Sequence, residues 1–167
     1  MMGRTQTDRE GQAVLDAGIY QNLPGRVRGE LLLPEMSDYH IARAMWNGMF
    51  DRRPAAILRC KGVADVIDAV NLARENDLLV SVRGGGHNVA GHAVCDGGFV
   101  IDLSPMRSVW LDLHRGTVRV EGGAIWREVD RETQEFGLAT PGGLVSDTGV
   151  AGLTLGAVWA GCDASMA

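Results

Sequence analysis

The sequence predicts a mixed α/β (α+β) fold, with a small parallel βαβ lobe followed by a lobe built on antiparallel strands. Three observations carry that expectation. An apolar run, an amphipathic stretch and a second apolar run follow one another between residues 55 and 83. A period-two alternation of apolar and polar residues then spans 107–123. Two glycine-rich stretches, one opening "RGGGHNVAGH" at Arg83 and one spanning Gly142 to Gly156, punctuate the chain.

Each element follows from its residues. The first dozen positions are polar and predict a loose end. Val14 to Tyr20 suits a short helix, "LPGRVRGELLLPEM" reads as loop because Pro24, Gly25 and Pro34 break it, and Asp38 is placed to cap a short helix over Tyr39–Trp46. "AAILRC" (55–60) predicts a strand. "GVADVIDAVNLARENDL" (62–78) predicts a helix with Val63, Val66, Ile67, Val70 and Ala73 on one face. "LLVSVR" (78–83) is the next strand, and a strand–helix–strand unit of this length favours a parallel pair with a right-handed crossover. "FVIDLS" (99–104) is a third strand, reached from the glycine loop with no room for a helix of normal length. "RSVWLDLHRGTVRVEGG" predicts a hairpin turning at His114–Gly116. "AIWREVDRETQEFG" predicts an amphipathic helix using Ile125, Val129 and Phe136, stopped by Gly137. Residues 138–156 read as loop.

Bulk properties narrow the function. A chain of 167 residues suits about one domain, and 46% hydrophobic residues suffice for a core. A net charge of −5 argues against a nucleic-acid partner, which would call for a basic patch, and fits the handling of small molecules. Cys60, Cys95 and Cys162 are widely spaced and form no CxxC pair, so neither a disulfide framework nor a structural zinc site is expected. No apolar run reaches the ~18 residues of a membrane span. The polar N-terminus lacks the apolar core of a secretory signal, so a cytoplasmic location is expected.

The motif with the most chemistry is the first glycine stretch. Gly84, Gly85 and Gly86 discard three side chains, and successive bare amides can encircle an anion. No lysine follows as in a Walker loop, and the spacing is not GxGxxG. On spacing alone two readings stand, a phosphate cradle and a tight turn. His87 and His92, near Cys95 and Asp96, allow a metal in principle, but no familiar zinc spacing occurs and no metal is expected. A neutral imidazole at His87 has a further option, as a nucleophile that carries a covalent cofactor. The second stretch adds Ser146, Asp147, Thr148 and Thr154 as possible partners for the same ligand, whereas Asp102 and Asp112 read best as strand-end or solvated carboxylates.

Taken together, "ARAMWNGMFDRRPAAILRC", "VADVIDAVNLARENDLLVSVRGGGHNVAGHAVCDGGFVIDLS" and "GLATPGGLVSDTGVAGLTLG" resemble the FAD-binding domain of flavin-linked oxidoreductases. The type is vanillyl-alcohol oxidase / p-cresol methylhydroxylase, in its berberine-bridge-enzyme-like branch. The resemblance runs from about Leu32 to Gly156, leaving 1–31 as an N-terminal extension. It implies that Arg83, Gly84, Gly85, Gly86, His87 and Asn88 wrap the FAD diphosphate. Gly91, Gly142, Thr148, Gly149, Gly152 and Thr154 would complete the cofactor site. It also implies that His87 is the histidyl attachment point to the flavin 8α-methyl. The position that forms a second, cysteinyl link in some members aligns with Val145, so that link is expected to be absent, and Cys95 lies elsewhere.

The resemblance breaks after Gly156. The family continues with a pattern like GLGWLxRKxGL, whereas this chain reads "AVWAGCDASMA". A DNA string that encodes GGLGWLRRKHG encodes AVWAGCDASMA when read one base later. A frameshifted tail over 157–167, on a C-terminally truncated FAD-binding portion, is therefore expected. The substrate domain would then be missing, and no catalytic residue is assigned. The function expected is that of the FAD-binding portion of an oxidoreductase acting on a small organic substrate. The alternatives are an inactive fragment of that family and an unrelated phosphate-binding module.

Overall fold

The computed structural model describes residues 25–156, together with Leu23, residues 17–20 and two short strands, β1 (Gln6–Thr7) and β2 (Ala13–Val14). The expected helix over Val14–Tyr20 is replaced. Val14 lies in β2 and pairs with Gln6 of β1, Ala17–Tyr20 form one 3-10 turn, and positions 15 and 16 lie outside the described residues. The expected tail at 157–167 lies outside them as well.

The main sheet has the order β3–β4–β6–β5, from β3 (Glu30–Leu32), β4 (Ala56–Arg59), β5 (Val80–Arg83) and β6 (Phe99–Asp102). β4, β6 and β5 are parallel, while β3 runs antiparallel to β4 at the edge. Two expectations change here. Glu30–Leu32, read as loop, form a strand, because the four non-breaker residues between Gly29 and Pro34 leave three free to pair with β4. β4 and β5 bracket the βαβ unit as expected but are not neighbours, since β6 inserts between them. The insertion puts the most apolar strand, buried at all four residues, in the centre.

Helix α2 (Val63–Glu75) makes the crossover. Its carboxylate Asp65 is buried and accepts the Arg28 and Lys61 N–H groups at 2.9 and 2.8 Å, which ties the helix start to the preceding chain. The buried side is Asp65, Ala69 and Ala73, with Val66 and Leu72 packed beside them. Val63, Ile67 and Val70, expected to face inward, are exposed. Small residues seat the helix close to the sheet, and the branched residues lie on its flank.

Two cores lie on the two sheet faces. On the α2 face Leu58, Phe99 and Ile101 pack with Tyr20, Leu23, Val27 and Met106. On the other, Ile57 and Val100 pack with Leu32, Val94, Cys95 and Tyr39 of α1 (Tyr39–Arg43). The expected boundary at residue 32 thus falls inside β3, and Tyr20, Leu23 and Val27 ahead of it share the core. α1 stops at Arg43, earlier than expected, and Asp38 caps it without a side-chain hydrogen bond.

The hairpin forms as β7 (Val109–Asp112) and β8 (Thr117–Val120), with Gly116 at φ +62° in its turn. Helix α3 (Trp126–Gln134) follows, its start held by Glu128 Oε2 accepting the Ile125 N–H at 3.0 Å. It buries Trp126, Val129 and Thr133. Phe136 lies beyond its end and stays exposed. Within the stretch read as loop, residues 150–155 form a short helix, α4 (Val150–Leu155).

Candidate functional site

The site grows from the carboxyl ends of the parallel strands, where ligands of open α/β sheets bind. β5 ends at Arg83, and the chain runs irregularly from Gly84 to Gly98 before β6 begins. Gly86 has φ +73° and Gly91 φ +75°, a left-handed backbone that glycine adopts without a Cβ penalty.

The glycines here are close-packed rather than loose. A Cβ on Gly84 would stand 2.8 Å from the Gly122 carbonyl oxygen. A Cβ on Gly85 would stand 2.6 Å from both the Cα and the N of Gly149. The two glycine stretches, more than sixty positions apart in sequence, therefore meet backbone to backbone. An antiparallel bridge between Ile125 and Gly149 ties the second stretch to the start of α3, with Trp126 N–H donating to the Thr148 carbonyl at 3.1 Å.

Among the described residues, none accepts a hydrogen bond from the backbone N–H of Gly85, Gly86, His87 or Asn88. Four consecutive amides without an acceptor among the described residues, in a partly buried loop with the left-handed Gly86 among them, are donors from which an anion can accept. No carboxylate side chain occurs between Arg83 and Cys95 to oppose one.

The other expected residues divide by position. Arg83 turns its guanidinium inward, donating from Nη1 to the Ala42 carbonyl, and lies beneath Gly86. Its Nε is buried with no partner among the described residues. Asn88 folds the loop on itself, its Oδ1 accepting the His92 N–H at 2.9 Å and its carbonyl the Gly91 N–H at 3.1 Å. Gly91 faces the Phe50 ring, where a Cβ would come to 2.6 Å. Gly142 lies against the Trp126 indole, and Gly143 beside it. Gly152 and Thr154 sit on α4 with their surfaces exposed. Cys95 is buried in the core, and Asp96 accepts the Arg53 N–H at 2.8 Å.

His87 is half-buried and stacks on Trp46, with ring centroids 5.4 Å apart and planes 20° from parallel. Spacing alone did not single out Trp46, although its segment carries part of the family resemblance. An exposed tryptophan followed by Asn-Gly, in a loop otherwise read as helix, is the signal that could have found it. The segment behind it is braced. Tyr39 Oη donates to the Pro54 carbonyl at 2.6 Å, and Arg43 pairs with Asp51. The Arg43 guanidinium holds the Asp51 carboxyl below the usual carboxylate range, and burial raises the Tyr39 phenol.

Comparison with known proteins gives the arrangement a context. Residues 54–165 match the family described as FAD binding domain, a match that runs through most of 157–167. The (R)-6-hydroxynicotine oxidase of Paenarthrobacter nicotinovorans is 38% identical over 132 residues, 79% of this chain and 29% of that protein. An FAD-linked oxidoreductase of Bacillus subtilis is 33% identical over 78% of this chain and 29% of its own length. In structure, the 6-hydroxy-D-nicotine oxidase of Arthrobacter nicotinovorans superimposes with a TM-score of 0.74 at 38% identity, over 76% of this chain and 28% of that one. A berberine-bridge-enzyme-like protein of Physcomitrella patens gives 0.74 at 25% identity, over 80% and 29%. The chain thus spans about three-tenths of the length of the relatives it matches.

Proposed function

The chain belongs to the FAD binding domain family, its relatives are FAD-linked oxidoreductases of berberine-bridge-enzyme-like type, and from that premise we propose that it holds FAD by the Gly84–Asn88 loop, with His87 as the covalent anchor. The observation that carries the reading is the meeting of Gly85 with Gly149 beside four amides that have no acceptor among the described residues. A diphosphate fits that donor set, because its oxygens accept from backbone N–H groups and need no side chain.

Each residue then has a task. Gly84 and Gly85 let the backbone approach Gly122 and Gly149, which no larger residue permits. Arg83 adds positive charge beneath the loop while bracing it on α1. Thr148, Gly149, Gly142, Gly152 and Thr154 flank the cofactor from the second stretch, and Asn88 with Gly91 shapes the loop's exit. His87 would hold the flavin through a ring nitrogen at its 8α-carbon, an attachment that would release two protons and need an external two-electron acceptor such as dioxygen. Bound FAD supplies a two-electron acceptor for hydride from a small organic substrate.

The test is the visible spectrum of acid-precipitated protein after incubation with FAD. A yellow pellet from the wild-type chain and a colourless one from His87→Ala are expected. Acid-stable flavin in His87→Ala would move the anchor elsewhere, and none in the wild type would remove the covalent claim.

A further inference from the structure

We propose that Trp46 is the positioning residue of His87, its indole fixing the plane of the imidazole and its loop clamping the turn that carries it; the inference rests on the anchor reading above. A functional histidine is ordinarily oriented by a hydrogen bond from its second ring nitrogen. Among the described residues, neither ring nitrogen of His87 has such a partner. The contact that remains is the near-parallel stack on Trp46. A stack restrains rotation of the imidazole and leaves both nitrogens at the ring edge for bond formation.

Trp46 is not there to fill a core, since 68% of its surface is exposed. Its backbone is tied to the same turn, its N–H donating to the Gly86 carbonyl at 3.2 Å. The next residues extend the grip. Asn47 Nδ2 donates to the Val89 carbonyl at 2.9 Å, Asn47 Oδ1 accepts the Met49 N–H at 3.2 Å, and Phe50 backs Gly91. The loop is closed at its base by Arg43 with Asp51. Residues 46–50 therefore hold residues 86–91 at four points, one of them the ring of His87.

The experiment compares the wild-type chain with Trp46→Ala and Trp46→Phe in two ways. The first is NMR of the His87 imidazole without cofactor, assigned by its loss in His87→Ala. The wild type is expected to show an upfield ring-current shift that disappears in Trp46→Ala and persists in Trp46→Phe. The second is the growth of acid-stable flavin after FAD is added. Trp46→Ala is expected to slow it about tenfold, as lost orientation does, and to leave reversible FAD affinity within about threefold. Trp46→Phe, which keeps a stacking face, is expected to restore the rate. Attachment at the wild-type rate in Trp46→Ala, or an identical His87 signal in all three proteins, overturns the proposal. If the wild type gains no acid-stable flavin, the anchor reading has failed, and the NMR comparison alone decides whether Trp46 positions His87.

Discussion

At the scale of single residues, Tyr20 shows how the core limits pH tolerance. Its ring packs 5.5 Å from Phe99, and its hydroxyl is buried with no partner among the described residues. Burial, with a smaller contribution from Cys95, pushes the phenol up to about 12. A folded-state pKa above the unfolded value of 10.0 stabilises the fold fully below pH 10, and that stabilisation is lost as pH rises from there toward 12. Tyr20→Phe removes the unsatisfied hydroxyl, so urea unfolding at neutral pH should show a gain of about 1 kcal/mol. The alkaline fall in stability should also shrink; an unchanged alkaline limb would place the titration elsewhere. What was legible at this scale was backbone chemistry. Three adjacent glycines and a histidine announce a loop that must come close to something. The direction of the Arg83 side chain and the stack of Trp46 on His87 were not legible, because both depend on which loop the fold lays across the turn.

At the scale of elements, the parallel strands, the hairpin and α3 could be read directly, since each has a clean period and a clear stop. Three features could not. β3 is too short to show a period, and its pairing with β4 decides its state. α4 is hidden by glycines at 149, 152 and 156, which argue for loop locally. In α2 the apolar stripe misled, because the close seat on the sheet selects Ala69 and Ala73 over Ile67, which remains 56% exposed. The meeting of the two glycine stretches is the element-scale event on which the site depends. Gly85→Ala should separate them, destabilising the chain by about 2 kcal/mol and weakening FAD binding. Gly25→Ala, with nothing within 4 Å of the added carbon, should stay within about 0.5 kcal/mol of wild type. Equal melting of both variants would mean that the loops do not touch in solution.

At the scale of the molecule, the sheet is covered unevenly. α2 shields β4 and β6 but leaves Val80 and Val82 of β5 open, beside a groove lined by Val70, Ala73, Leu78 and Ile101. The relatives extend far beyond the span matched here, which covers 29% of the (R)-6-hydroxynicotine oxidase and 28% of the superimposed 6-hydroxy-D-nicotine oxidase. What we propose for it is a cofactor loop. The most direct measurement of that claim is the set of backbone amide resonances of Gly85, Gly86, His87, Asn88 and Gly149 as FAD is added. These five are expected to shift first and furthest, their hydrogen exchange to slow, and ADP, which carries the diphosphate without the flavin, to move Gly85 to Asn88 in the same direction. Binding of FAD with these amides unmoved, or no binding at all, would contradict it.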